Sequence, residues 1–178
     1  DSKMIAVTGI WHFARGMAFM STKRLTEAQA ELNRLRIAAQ QPELANLKIF
    51  DLNSLASIAQ IAVEVLDGEI TAKRGNTAAG VKHLRKAVEL EDNLLYSEPP
   101  DWPIPPRHNL GAVLLTAGRA AEAEQVYRED LQRHRNNGWA LYGLAKSLEA
   151  QGKDAADVWV RFNKTWRRAD VQLTASRF

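Results

Sequence analysis

The side chains of this chain that could do chemistry are four histidines and a short acidic pair. His12, His83, His108 and His134 would be metal ligands only if they shared helix faces with further donors. A helical metal site typically shows His-x-x-x-His or His-x-x-Glu, because those spacings set two ligands side by side. Neither pattern occurs at any of the four histidines. Cysteine is absent, which removes disulfides and thiolate metal sites. Glu98 and Asp101 lie close enough in sequence to suggest a general acid and base, but prolines 99 and 100 separate them. They read instead as turn and cap residues, with Arg107 as a charge partner. No nucleophile elbow, phosphate loop or dinucleotide fingerprint is present. The sequence therefore predicts no catalytic residue, no cofactor and no metal, and leaves recognition as the chemistry to be explained.

Composition narrows the partner. The 178 residues are 46% hydrophobic and 25% charged, ordinary values for one soluble domain with a sizeable core. The net charge of +3 comes from interspersed basic and acidic residues, so no tract suited to nucleic acid stands out. The basic run Arg161, Lys164, Arg167 and Arg168 is in helical phase but is flanked by Asp157 and Asp170, as in a solvated face. No apolar run reaches the ~18 residues of a membrane span. A soluble protein of the cytoplasm or periplasm is expected. Asp1 stands where an initiator Met or a leader would, and Ile5, Ile10 and Trp11 follow at once, which suggests a fragment of a longer chain.

Recurring small residues define the elements that must position any site. Gly16 is followed twelve places later by Ala28, Gly68 by Gly80, Gly111 by Ala123, and Ala145 by Asp157. Between the members of each pair, at one shared offset, stand Lys23, Gly75, Gly118 and Gly152. Three glycines there suit helices that end in a left-handed residue. Large apolar residues share two further offsets: Phe19, Leu114 and Leu148 at one, Leu32, Leu84 and Tyr127 at the other. Four antiparallel helix hairpins follow, at about 3–42, 53–94, 104–137 and 138–171. Thr22 or Thr26, Asn53 or Ser54, and Asn76 or Thr77 are the candidate caps. Glu43 to Asp51 suggests one short helical turn, and nothing alternates with period two, so an all-α fold without a sheet is predicted. Asp157 breaks the pattern, so the last helix either slips to Ala156 or is a terminal helix with one face in solvent. Residues 97–106 hold five of six prolines and Trp102, an extended and stiff connector.

The offsets around Leu110, Gly111, Leu114, Ala123 and Tyr127, with 34 residues from Gly111 to Ala145, resemble the tetratricopeptide repeat. The stretch from Glu98 to Pro103, then Arg107 and Asn137-Gly138-Trp139, is similar to the C-terminal part of long bacterial members. This resemblance implies a right-handed solenoid whose concave face, lined by the first helix of each hairpin, binds a protein or peptide. On that register the candidate contacts are Phe13 and Met17 (with Met20), then Glu69 and Lys73 (with Val65), His108, and finally Trp139, Tyr142 and Lys146 with Glu149. Trp102 either caps the core or lines a groove in the connector. Trp139 and Tyr142 either pack on that connector or touch the ligand. An accessory region of a larger enzyme and a self-associating structural array remain as alternatives.

Overall fold

A computed structural model describes residues 2–177, so both end residues of the anticipated 1–178 domain lie outside the described residues. The described residues are mostly helical. Where the sequence suggests a single domain, the chain divides into two compact units, the first ending at Pro106 and the second beginning at Arg107. The first unit contains α1 (Ser2–Ser21), α2 (Leu25–Ala39), α3 (Glu43–Asn46), β1 (Lys48–Ile49), β2 (Asn53–Ser54), α4 (Leu55–Lys73) and α5 (Thr77–Asp92). The second contains α6 (Pro106–Thr116), whose first residue is the boundary, then α7 (Ala120–Arg133), α8 (Gly138–Glu149) and α9 (Ala156–Trp166).

One turn geometry recurs four times. Lys23, Gly75, Gly118 and Gly152 all have positive φ, between 63° and 95°. In each case their amide donates to the carbonyl three residues back: Met20, Ala72, Leu115 and Glu149. The next amide (Arg24, Asn76, Arg119, Lys153) reaches the carbonyl of Phe19, Thr71, Leu114 or Leu148, at 2.8 to 3.1 Å. This is the Schellman arrangement, which satisfies the last carbonyls of a helix and reverses the chain. The large residues at one shared offset are thus the carbonyl acceptors that close the turn. Those at the other, Leu32, Leu84 and Tyr127, are completely buried.

Side-chain caps start α4, α5 and α8: Ser54 accepts from the Ser57 amide, Asn76 from Ala79 and Asn137 from Ala140. Neither threonine caps α2. The Thr22 hydroxyl donates back to the Ala18 carbonyl at 2.9 Å, and Arg24 occupies the cap position. Arg24 pairs with Glu27 at 2.9 Å, and in the same register Arg119 pairs with Glu122 at 2.7 Å at the start of α7. An arginine–glutamate pair across the first turn replaces the cap in both places, the glutamate lying at the positive end of the helix dipole.

Within the first unit, α1 packs on α2, α4 packs on α5, and α4 also touches α1 and α2. Gly68 and Gly80 set the closest approach of α4 and α5: a Cβ at Gly80 would stand 2.7 Å from the Gly68 carbonyl oxygen. Gly16 makes room for Leu66 of α4. The shift that carries Gly16 to Gly68 also carries His12 to Glu64 and Glu31 to His83. Both pairs form, His12 to Glu31 at 2.6 Å and His83 to Glu64 at 2.7 Å, with acid and imidazole exchanged between hairpins. The absence of a sheet needs correction. Lys48 pairs with Ser54 and Ile49 with Asn53 in a two-residue antiparallel ladder, and only Glu43–Asn46 of the anticipated helical turn is helical. Two residues per strand are too few to show an alternating pattern.

The connector is ordered. Asn53 donates to the Leu95 carbonyl at 2.8 Å and to Asp101 at 2.7 Å, and accepts from the Leu95 amide at 2.8 Å. Trp102 is buried in the core of the first unit, its indole N–H donating to the Ile104 carbonyl at 2.6 Å. Its ring meets Phe13 edge-on, with centroids 5.3 Å apart. Of its two readings, core rather than groove is what these contacts describe.

In the second unit, the Tyr127 ring lies against both Gly111 of α6 and Gly143 of α8, and a Cβ at either glycine would overlap it. Its phenol bonds Ser176, whose hydroxyl also donates to the His108 carbonyl at 3.4 Å. Burial pushes the Tyr127 hydroxyl pKa up, which keeps it a neutral donor. Helix α9 has no buried residue, and both Ala156 and Asp157 are exposed. Part of the helix surface therefore faces solvent.

Candidate interaction surface

The sequence of α8 is apolar enough to bury one face on α7 while leaving Trp139, Tyr142 and Lys146 on another. Against that second face α9 lays Trp159, Phe162 and Trp166, a stripe at i, i+3 and i+7. The rings interlock. Tyr142 meets Trp159 and Phe162 with centroids 5.7 and 5.8 Å apart, and Trp139 meets Trp166 at 5.7 Å. Phe162 stacks on Trp166 at 5.9 Å and stands edge-on to Trp159 at 5.4 Å. All five are half-buried, so each keeps part of its ring in solvent. Gly138 allows the Trp166 ring to approach, since a Cβ there would overlap it.

An open cleft of about 470 Å3 follows from this geometry, lined by Tyr142, Phe162, Trp166 and residues 169–173. The Trp166 indole donates to the Val171 carbonyl at 2.7 Å and so ties the final segment to the cleft wall. At the far side of Tyr142, Lys146 lies 5.3 Å from the Trp159 ring and bonds Glu149 at 2.9 Å. Glu149 also accepts from the Trp159 indole at 2.7 Å. The hydrogen bond to Glu149 raises the Lys146 pKa, and the same bond, then the one from Trp159, lowers that of Glu149. Both groups are charged at neutral pH, giving a polar rim beside an aromatic cleft.

The other candidates are scattered. Phe13 and Met17 are half-buried and pack against the core of the first unit, and Lys73 is exposed at the end of α4. Trp102, Glu69 and His108 require correction as surface contacts, because each is less than a tenth exposed. Val65 and Met20 are buried as well. His108 faces Asp130 at 3.3 Å, and that carboxylate also meets His134 at 3.1 Å. The helix register implied by the resemblance does not encode exposure on α4, which packs on α1, α2 and α5, or on α6, where His108 faces Asp130 of α7. Trp159, Phe162 and Trp166 escaped notice, although their heptad-like spacing beside the basic run was legible.

Glu98 and Asp101 do not form a pair: Glu98 accepts from the Tyr96 phenol at 2.7 Å, while Asp101 holds Asn53. Each histidine lies beside a carboxylate, and among the described residues no group of three or more such side chains is arranged to hold a metal ion. No described helix is long and apolar enough to cross a membrane. Comparison with protein-family models, with curated protein sequences and with solved structures gave no match.

Proposed function

We propose that the chain is a non-catalytic, tetratricopeptide-like helical-repeat module that binds a protein or peptide segment. The α8–α9 cleft is the docking site. The single observation that carries this reading is a cluster of five half-exposed aromatic rings, three of which, Tyr142, Phe162 and Trp166, wall one open cleft beside a charged rim. Aromatic side chains of this kind supply most of the energy of protein interfaces, while flanking charges set orientation. The repeat part of the reading is supported by four Schellman turns and two arginine–glutamate first turns at shared offsets. The occupant is a segment with a large apolar side chain for the cleft and an acidic group beside it. Lys164, Arg167 and Arg168, all exposed and within two residues of Trp166 in sequence, outnumber Asp170 of the lining and favour that acid.

Selection from a random peptide library tests the proposal. Recovered peptides are expected to share an aromatic or large aliphatic residue next to an acid, and to lose affinity for Tyr142→Ala and Trp166→Ala. Gln125→Ala, on the exposed face of α7, is the control. Enriched peptides that bind both aromatic variants as tightly as the parent would refute it, as would no enrichment at all. An accessory role in a larger enzyme is the second reading, compatible with the same cleft.

A further inference from the structure

The solvent side of α1 carries a seam that the peptide cleft does not use. Met4, Val7, Trp11, Ala14, Ala18 and Ser21 are all exposed, and they follow one another at steps of three, four, three, four and three. Those steps are the heptad spacing with which one helix seats against another. No position of the seam is charged. Arg15, next to Ala14, lies over the Trp11 ring at 4.3 Å and within 3.7 Å of Glu31, which offsets its charge.

The seam is also graded in size, and the grading identifies its occupant. Its N-terminal half is large and its C-terminal half small. An antiparallel helix of the same sequence would set Trp11 opposite Ala14, Val7 opposite Ala18 and Met4 opposite Ser21. Large then meets small along the full length, as close packing requires. Met4, Val7 and Trp11 are 60%, 62% and 50% exposed, with Ile10 and Ile37 at 42% and 63% nearby. Their free surface is roughly 500 Å2 per copy, about 1,000 Å2 in a two-fold pair, which reaches the lower limit of a specific interface. A charged partner would find no complement here. We infer that a second copy of this chain covers the seam, and that the two α1 helices pair antiparallel about a two-fold axis near Trp11 and Ala14.

Sedimentation equilibrium over a range of concentrations tests this, with thermal melts to show that each variant is folded. The parent is expected to reach twice the 19.9 kDa chain mass reversibly. Val7→Glu places a carboxylate against the partner's apolar seam twice and should weaken the dimer by about tenfold or more. Adding Ala18→Lys to the same chain should recover most of that loss, because each glutamate then faces a lysine of the other copy. Within one chain these two positions are three turns apart and do not meet. A monomer at every concentration overturns the inference, as it would if a different helix covers the seam. So does a dimer indifferent to Val7→Glu, or a double variant no tighter than the single one. None of these results bears on the α8–α9 cleft, which lies in the other unit.

Discussion

Gly143→Ala adds one methyl group at the point where α8 meets the Tyr127 ring. In an unconstrained helix interior this change would stabilise by about 1 kcal/mol, because alanine loses less backbone entropy than glycine. Here the new Cβ would overlap ring carbons on a side chain that is completely buried. The ring cannot retreat, since Gly111 of α6 lies against it too and its phenol is bonded to Ser176. Overpacking costs about 1–3 kcal/mol, and an overlap this close on a pinned ring belongs in the upper part of that range, so after the propensity gain a net loss of about 1–2 kcal/mol is expected. Tyr127→Phe in the same background leaves the ring in place and should not rescue it, whereas Tyr127→Leu should do so in part. Urea unfolding followed by far-ultraviolet circular dichroism, with the midpoints compared at constant slope, measures the difference. A Gly143→Ala variant as stable as the parent, or more stable, would refute the close approach of α8 to Tyr127.

Lys23→Gly should stabilise by about 0.5–1 kcal/mol in the same assay, because Lys23 is the one non-glycine at the shared left-handed turn position. Glu124 accepts from Lys153 at 2.7 Å, from Arg128 and from Gln151, and these bonds, Lys153 first, lower its pKa from 4.5 to about 2. Its folded pKa is depressed, so its contribution is complete above about pH 4.5 and is lost as pH falls toward 2. The shift corresponds to about 3 kcal/mol at most, but Lys153 and Arg128 are half-exposed, so about 1 kcal/mol is expected after screening. The gap between the parent and Glu124→Gln should therefore close on acidification, measured by urea unfolding at several pH values. Trp102→Ala should cost about 3–5 kcal/mol of stability, as for other buried aromatic truncations, and expose the connector to limited proteolysis.

The helical part of the fold was legible because small residues, turn glycines and large anchors recur at fixed offsets. Asn76 and Ser54 were legible as caps since their chemistry is local. Arg24 and Arg119 were not, because an arginine becomes a first-turn partner only through a glutamate three residues on. The 48–54 ladder escaped detection because strands of two residues leave no period. The division at Pro106 and the burial of His108 and Glu69 depend on which helices cover α4 and α6, which spacing along one helix does not encode. Tyr142 and Trp139 were found as aromatic surface, but the cleft exists only because α9 brings Phe162 and Trp166 beside them. Glu124 joins α7 to Gln151 and Lys153, partners 27 and 29 residues away that no local pattern links to it.

The central claim is that the aromatic cleft between α8 and α9 is the binding surface. Isothermal titration of a library-selected peptide into the parent, Trp166→Ala and Gln125→Ala tests it most directly. Truncating a ring that walls the cleft should cost about 2 kcal/mol or more, roughly a thirtyfold rise in Kd, while Gln125→Ala leaves affinity unchanged. Equal affinity of the folded Trp166→Ala variant and the parent would contradict the claim.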